Sequence, residues 1–256
     1  MRLKKILQIA LIALPLTLAE PGILDVGVRL PGFEVVAQTV DEHKAEAYNL
    51  LKEGQKQFSI GQFREGLHLW QKALVIYGQI GDRHGEASSL FILGTAYASL
   101  GEYEQAIDFY QQSLAIERDI EYRQGEADSL HNLGLVYASL AEYKQAIDFY
   151  QQSLAIAREI GDRQRKTSSL VNLGLVYGSL GEYEQAIDFY QQSLAIAKEI
   201  GDIQIEASSL NGLGLAYYRL AEYEQAKDFF QQSLAIYRDI GDIQGEANSL
   251  NNIEPI

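Results

Sequence analysis

A forty-residue period dominates this sequence. Glu104-Gln-Ala-Ile-Asp-Phe-Tyr-Gln-Gln-Ser-Leu-Ala-Ile116 recurs letter for letter at Glu184–Ile196, and from Gln145 to Ile156 after a Lys. A degenerate copy runs from Glu224 to Ile236. The other half of the period repeats in step: Leu90, Leu130, Leu170, Leu210 and Leu250; Gly94, Gly134, Gly174 and Gly214; Tyr97, Tyr137, Tyr177 and Tyr217. A worn first copy keeps Gly54, Phe63, Gly66, Trp70 and Leu74 in register. Self-similarity at this spacing means a stack of equivalent units, each burying its apolar face against the next. Five full units follow, at about 45–84, 85–124, 125–164, 165–204 and 205–244, with a partial sixth over 245–253.

Each unit reads as two helices. Ala87, Leu90, Leu93, Gly94, Tyr97 and Leu100 are spaced three and four apart, a single helical stripe. Gly101 suits the left-handed position that closes such a helix. Tyr103, Ala106, Ile107, Tyr110 and Leu114 make a second stripe, flanked by Phe109, Ile116 and Ile120. A helix apolar on two flanks has to be sandwiched between neighbours. Gly81-Asp82, Gly161-Asp162, Gly201-Asp202 and Gly241-Asp242 join the units, Gly at a helix end and Asp at the N-cap of the next. Glu121-Tyr122 departs from this rule, so the second junction is expected to be less regular. All four prolines lie in the first 31 residues or the last two, leaving the body helical throughout.

The leading segment differs in kind. Arg2, Lys4 and Lys5 precede an apolar run, Ile6–Ala19, that ends in Thr-Leu-Ala. This is the pattern of a secretory signal over residues 1–19, with export to the periplasm or beyond. A run of 14 residues falls short of the about 20 that span a bilayer as a helix. The alternatives are a segment left uncut as a membrane tether, and cleavage after Ala37. Residues 20–38, with Pro21, Gly22, Gly27, Pro31 and Gly32, read as a linker. Thr39-Val-Asp-Glu42 has capping-box spacing and is expected to start the first helix.

Composition removes several kinds of chemistry. With 35 acidic against 21 basic side chains the net charge is −14, the wrong sign for a phosphate-neutralising nucleic-acid binder. No Cys is present, so thiolate nucleophiles and Cys-based metal sites are excluded. His43, His68, His84 and His131 are scattered without a carboxylate cluster at ligand spacing. The pairs Glu102/Asp108, Glu142/Asp148 and Glu182/Asp188 recur in successive units, as a solvated face does and a catalytic dyad does not. Gly-Asp-x-x-Gly-Glu at 81–86 and 241–246 has too few ligands for a calcium loop. No phosphate loop or nucleophile elbow appears. The expectation is therefore no enzyme, no cofactor, no metal site and no small-molecule substrate.

Leu90, Leu93, Gly94, Tyr97, Ala106 and Tyr110, with their counterparts Leu130, Leu133, Gly134, Tyr137, Ala146 and Tyr150, resemble the tetratricopeptide-repeat pattern. Leu replaces the usual Trp, and Arg118, Arg158, Lys198 and Arg238 replace the usual Pro, which lets the second helix run longer. This is similar to the long subtype of kinesin light chain and of the Leu-Gly-Asn-repeat adaptors. The resemblance covers about 45–253 and implies an all-α, right-handed superhelical solenoid of about eleven helices. An exported array of this kind also resembles bacterial proteins that carry a caspase-like (CHAT) domain. Without Cys, such activity would belong to another polypeptide, and the chain would be its recognition or regulatory subunit.

The same resemblance places a ligand groove on the first helices. Its positions are Ser88, Phe91 and Thr95; Asp128, His131 and Leu135; Ser168, Val171 and Leu175; Asn211, Leu215 and Tyr218. The Lys/Asn pair by which family members clamp a peptide carboxylate is missing. Asn132 and Asn172 stand where the long subtype faces a bound backbone, with Ile92 and Gly212 breaking that row. The expected partner is a protein or peptide carrying aliphatic side chains. The shortened last unit, with Leu250 and Ile253, is expected to leave an apolar face for self-association.

Overall fold

The computed structural model describes residues 31–253. The segment expected to be a secretory signal, residues 1–19, and the expected linker as far as residue 30 lie outside the described residues. Eleven helices follow one another: α1 (Pro31–Ser59), α2 (Phe63–Ile80), α3 (Arg83–Ser99), α4 (Tyr103–Asp119), α5 (Arg123–Ser139), α6 (Tyr143–Ile160), α7 (Arg163–Leu180), α8 (Tyr183–Ile200), α9 (Ile203–Arg219), α10 (Tyr223–Ile240) and α11 (Ile243–Ile253). The chain divides into two units, residues 1–38 and 39–256.

Helix α1 corrects two expectations. It includes residues 31–38, read as linker, and it runs straight through Thr39–Glu42, read as its start. Pro fits the first turn of a helix because its fixed φ is already helical and its missing N–H has no acceptor there. Nothing between Gly32 and Thr39 breaks a helix, so the capping-box letters fall in mid-helix.

Each odd-numbered helix from α3 to α9 packs antiparallel on the even one that follows, the pairs stack in order, and α11 packs on α10. In α5, Leu130 and Leu133 are fully buried, and Tyr150 of α6 is 1% exposed. Gly134 faces the Tyr150 ring: a Cβ there would lie 2.6 Å from the ring's Cε1. The glycine thus makes room for an aromatic ring from the partner helix. Tyr97–Phe109, Tyr137–Phe149, Tyr177–Phe189 and Tyr217–Phe229 stack within their units at centroid distances of 5.2–5.4 Å. The second helix carries a further tie that hydropathy alone does not reveal. The hydroxyls of Ser113, Ser153, Ser193 and Ser233 donate to the carbonyls of Ala87, Ala127, Thr167 and Ala207 at 2.8–3.3 Å. A buried hydroxyl satisfied in this way costs little and fixes the register of the pair.

The junctions follow the Gly-Asp reading. Gly81, Gly161, Gly201 and Gly241 have φ between 70° and 74°. Asp82, Asp162, Asp202 and Asp242 accept from the backbone N–H three residues on, at 2.9–3.0 Å. The second junction keeps the same backbone path, contrary to the expected irregularity. Glu121 takes the left-handed conformation at φ 56°, and the Tyr122 N–H donates to the Glu117 carbonyl at 2.8 Å. Stacking on both sides dictates the path, so the sequence departure appears as local strain of about 1 kcal/mol and a lost cap.

Candidate functional site: the inner groove

The first helices of successive units touch one another directly, α3 to α5, α5 to α7 and α7 to α9, and so form the inner wall of the stack. Their stripe of Leu, Leu, Gly and Tyr is committed to the even helices. The opposite stripe therefore faces outward along the groove. Leu135, Leu175 and Leu215 are 40%, 49% and 37% exposed, a row of one leucine per helix. Thr95, the equivalent in α3, is exposed too, while Ser88, Phe91, Val171, Asn211 and Tyr218 are half-buried.

The polar members of the groove are tied together across units. The Asn132 amide donates to the Asp128 carbonyl at 2.9 Å, and its Oδ1 lies 3.4 Å from the Tyr110 hydroxyl. Asn172 Nδ2 stands 3.3 Å from His131 Nε2. Asn211 Oδ1 accepts from Asn252 at 3.2 Å. Residues about forty apart meet side by side on adjacent inner helices, so these amides bridge neighbouring units. Spacing within one unit could not show this. Asp128 is likewise engaged, in an ion pair with Arg165 of the next unit. Arg165 also approaches Asp162. Its place at a unit junction is a departure that the repeat comparison could have singled out.

Two groove groups have shifted titrations: burial raises the pKa of Asp128, and His131 moves the other way. Burial, and then the nearby Arg165 charge, lower the His131 pKa to about 4. With Asn172 donating to Nε2, the proton of the neutral ring belongs on Nδ1, toward Ser169 Oγ at 3.5 Å. In the unfolded chain the ring would titrate near the ordinary value of about 6.5. The unfolded state thus binds the proton first, and the stability present above that pH falls as the pH drops towards 4. Urea midpoints recorded between pH 7 and pH 4 are expected to fall less steeply for His131→Asn than for the parent. Equal slopes would remove His131 from the acid response.

Among the described residues, no group of three or more His, Asp or Glu side chains is arranged to hold a metal ion. No described helix is long and apolar enough to cross a membrane. Ile243 and Leu250 of α11 are exposed, at 82% and 39%.

A helical-pair solenoid with a groove on its inner helices is the architecture of a protein-interaction scaffold. The tetratricopeptide-repeat family model matches residues 57–119, 125–199 and 165–239, more than half of the chain, and the protein belongs to that family. Solved structures resemble it at the level of the fold. BtubC (BKLC) from P. vanneervenii superposes with a TM-score of 0.68 at 18% identity, over 79% of this chain and 92% of that one. A putative kinesin light chain of Podosopora anserina with nearly identical repeats gives 0.66 at 19% identity, over 78% and 98%. Aspartyl phosphate phosphatase F from Bacillus subtilis gives 0.75 at 19% identity, over 85% of this chain, which spans only 57% of that protein. No curated protein matches the sequence.

Proposed function

We propose that this protein is a non-enzymatic scaffold, acting outside the cytoplasm, that holds an extended segment of a partner protein in the inner groove. The observation that carries the reading is the exposed row of Leu135, Leu175 and Leu215. Leucines of this exposure, aligned at equivalent positions on successive inner helices, offer an apolar track for aliphatic side chains of a peptide. The three are also regularly spaced, because one unit supplies each. A partner with repeated aliphatic residues fits them best. Export is supported by the basic and apolar segments of residues 1–19.

The test is affinity capture from a cell-envelope extract, with the protein from residue 20 onward beside the variant Leu135→Glu plus Leu175→Glu. Both positions are exposed, so the double variant is expected to fold as the parent does. A partner retained by the parent and lost by the variant is the expected result. The same partners on both would move the binding site off the groove. Nothing captured by either would overturn the scaffold reading.

A further inference from the structure

The units are nearly identical, but one stretch of the groove between α7 and α9 is not. Where earlier units have Ala98 and Ala138, Gly178 stands; where they have Ile92, Asn132 and Asn172, Gly212 stands; and Arg219 replaces Ser99, Ser139 and Ser179. These three residues line one cavity of about 230 Å³. An apolar cavity of about 150 Å³ already admits a benzene ring. Leu175, Ala186, Leu215 and Ala216 supply apolar walls, and Ser179, Tyr183 and Tyr190 also line the space.

Tyr190 is only 4% exposed. A Cβ at position 212 would lie 2.5 Å from its Cε1 and from its Cζ, so the ring leans on the bare backbone of α9. In the second unit the equivalent hydroxyl, of Tyr110, lies 3.1 Å from Thr95 Oγ1 and 3.4 Å from Asn132 Oδ1. Leu175 and Gly212 occupy those two places for Tyr190. Among the described residues, neither the Tyr190 hydroxyl nor the Arg219 guanidinium has a hydrogen-bond or ion-pair partner. Burial pushes the Tyr190 pKa up, so the hydroxyl stays protonated and remains a donor. Arg219, in the last turn of α9, is a cation left unpaired in a chain of net charge −14. It lies two turns, about 10 Å, along α9 from Gly212, a span its long side chain and a ligand side chain cover together.

The Tyr190 hydroxyl and the Arg219 guanidinium are donors, and the aliphatic side chains of Leu175, Ala186, Leu215 and Ala216 wall much of the same cavity. A neutral aliphatic side chain would fill the walls and leave a buried hydroxyl unpaired; a lysine would meet Arg219 with like charge. A carboxylate on a short aliphatic stem satisfies all three features. We propose that this cavity is the specificity pocket of the groove and takes a glutamate side chain of the bound peptide, its carboxylate held by Tyr190 and Arg219. The inference rests on the groove reading above and adds a sequence preference to it.

The test uses acetylated, amidated, fluorescein-labelled nonapeptides of alternating Leu and Ala with Glu, Gln or Leu at the centre. Binding is followed by anisotropy with the parent and with Arg219→Ser, Tyr190→Phe and Leu135→Glu plus Leu175→Glu. The substituted residues already occur in this array, as Ser179 and Phe230, so the first two variants keep the fold. The Glu peptide is expected to bind the parent about tenfold more tightly than the Gln peptide, the worth of a charge-assisted pair. Arg219→Ser and Tyr190→Phe are each expected to reduce that preference to about twofold or less. If all three peptides bind the parent alike, or both variants keep the preference, the pocket assignment falls while the groove reading stands. If none binds the parent at millimolar concentration, both fall.

Discussion

Replacing Tyr150 by alanine is expected to lower stability by about 4 kcal/mol, a large share of the about 5–15 kcal/mol that holds a domain folded. The ring is 1% exposed and packs with Ala146, Leu154, Leu170, Leu173 and Val176, joining the third unit to the fourth. Its neighbour at the crossing is Gly134, which has no side chain to fall into the vacated space, so the cavity stays open. Tyr150→Phe, by contrast, is expected to change stability by less than about 0.5 kcal/mol, since among the described residues the hydroxyl has no partner. Tyr110→Phe should cost about 1 kcal/mol, because that hydroxyl bonds to Thr95 at 3.1 Å. Each unit touches only its neighbours, so the damage should be local. Hydrogen exchange is expected to accelerate most in α5 to α8 of Tyr150→Ala and least in α1 and α2. A loss below about 1.5 kcal/mol in urea unfolding, or acceleration spread evenly along the chain, would contradict this account of the core.

Some of this architecture is legible in the letters and some is not, for physical reasons. The period, the helix stripes and the Gly-Asp junctions are local: Asp202 caps its helix through the N–H of Ile205, three residues away. Such features are written inside one unit, and repetition multiplies the signal. The Glu121-Tyr122 junction shows the converse. Its letters favour a different turn, yet packing from both neighbouring units holds the same path, with Glu121 at φ 56°. The exposed stripe of the first helices is legible as well, because a helix phase fixed by buried leucines such as Leu130 and Leu133 also fixes the face that carries Leu135. The hydrogen bonds of the groove were not foreseeable, since Asn172 meets His131 only when two inner helices lie side by side. The cavity at Tyr190 belongs to the same class. Gly212 is visible as a break in a row, but its effect depends on a ring from α8 that lies 22 residues earlier in the chain. Differences between near-identical units are therefore where the sequence holds information that the average unit conceals.

One such difference makes the last prediction. At the unit junctions Tyr77 stands over Gly85, and Tyr237 over Gly245, with a glycine Cβ excluded at 2.2 Å and 2.4 Å from the ring. In the third and fourth units the positions equivalent to Tyr77 hold Ala157 and Ala197, and those equivalent to Gly85 hold Arg165 and Ile205. Large residue and small residue have exchanged sides. The second unit adopts a further solution: Glu117 replaces the tyrosine, and the Tyr122 ring covers Gly125 at 2.4 Å. Space at the junction is thus filled once, from one side or the other, as close packing requires. Gly85→Ile alone is expected to cost about 3 kcal/mol by overpacking against Tyr77, and Tyr77→Ala alone about 3 kcal/mol by leaving a hole. The double variant reproduces the arrangement of Ala197 and Ile205, and should cost no more than about 2 kcal/mol. The favourable coupling of about 4 kcal/mol would exceed what two residues 8 apart in sequence show when they do not touch. Additive losses in urea unfolding would mean that the two sites do not share one space, and that the exchange between units reflects drift instead of packing.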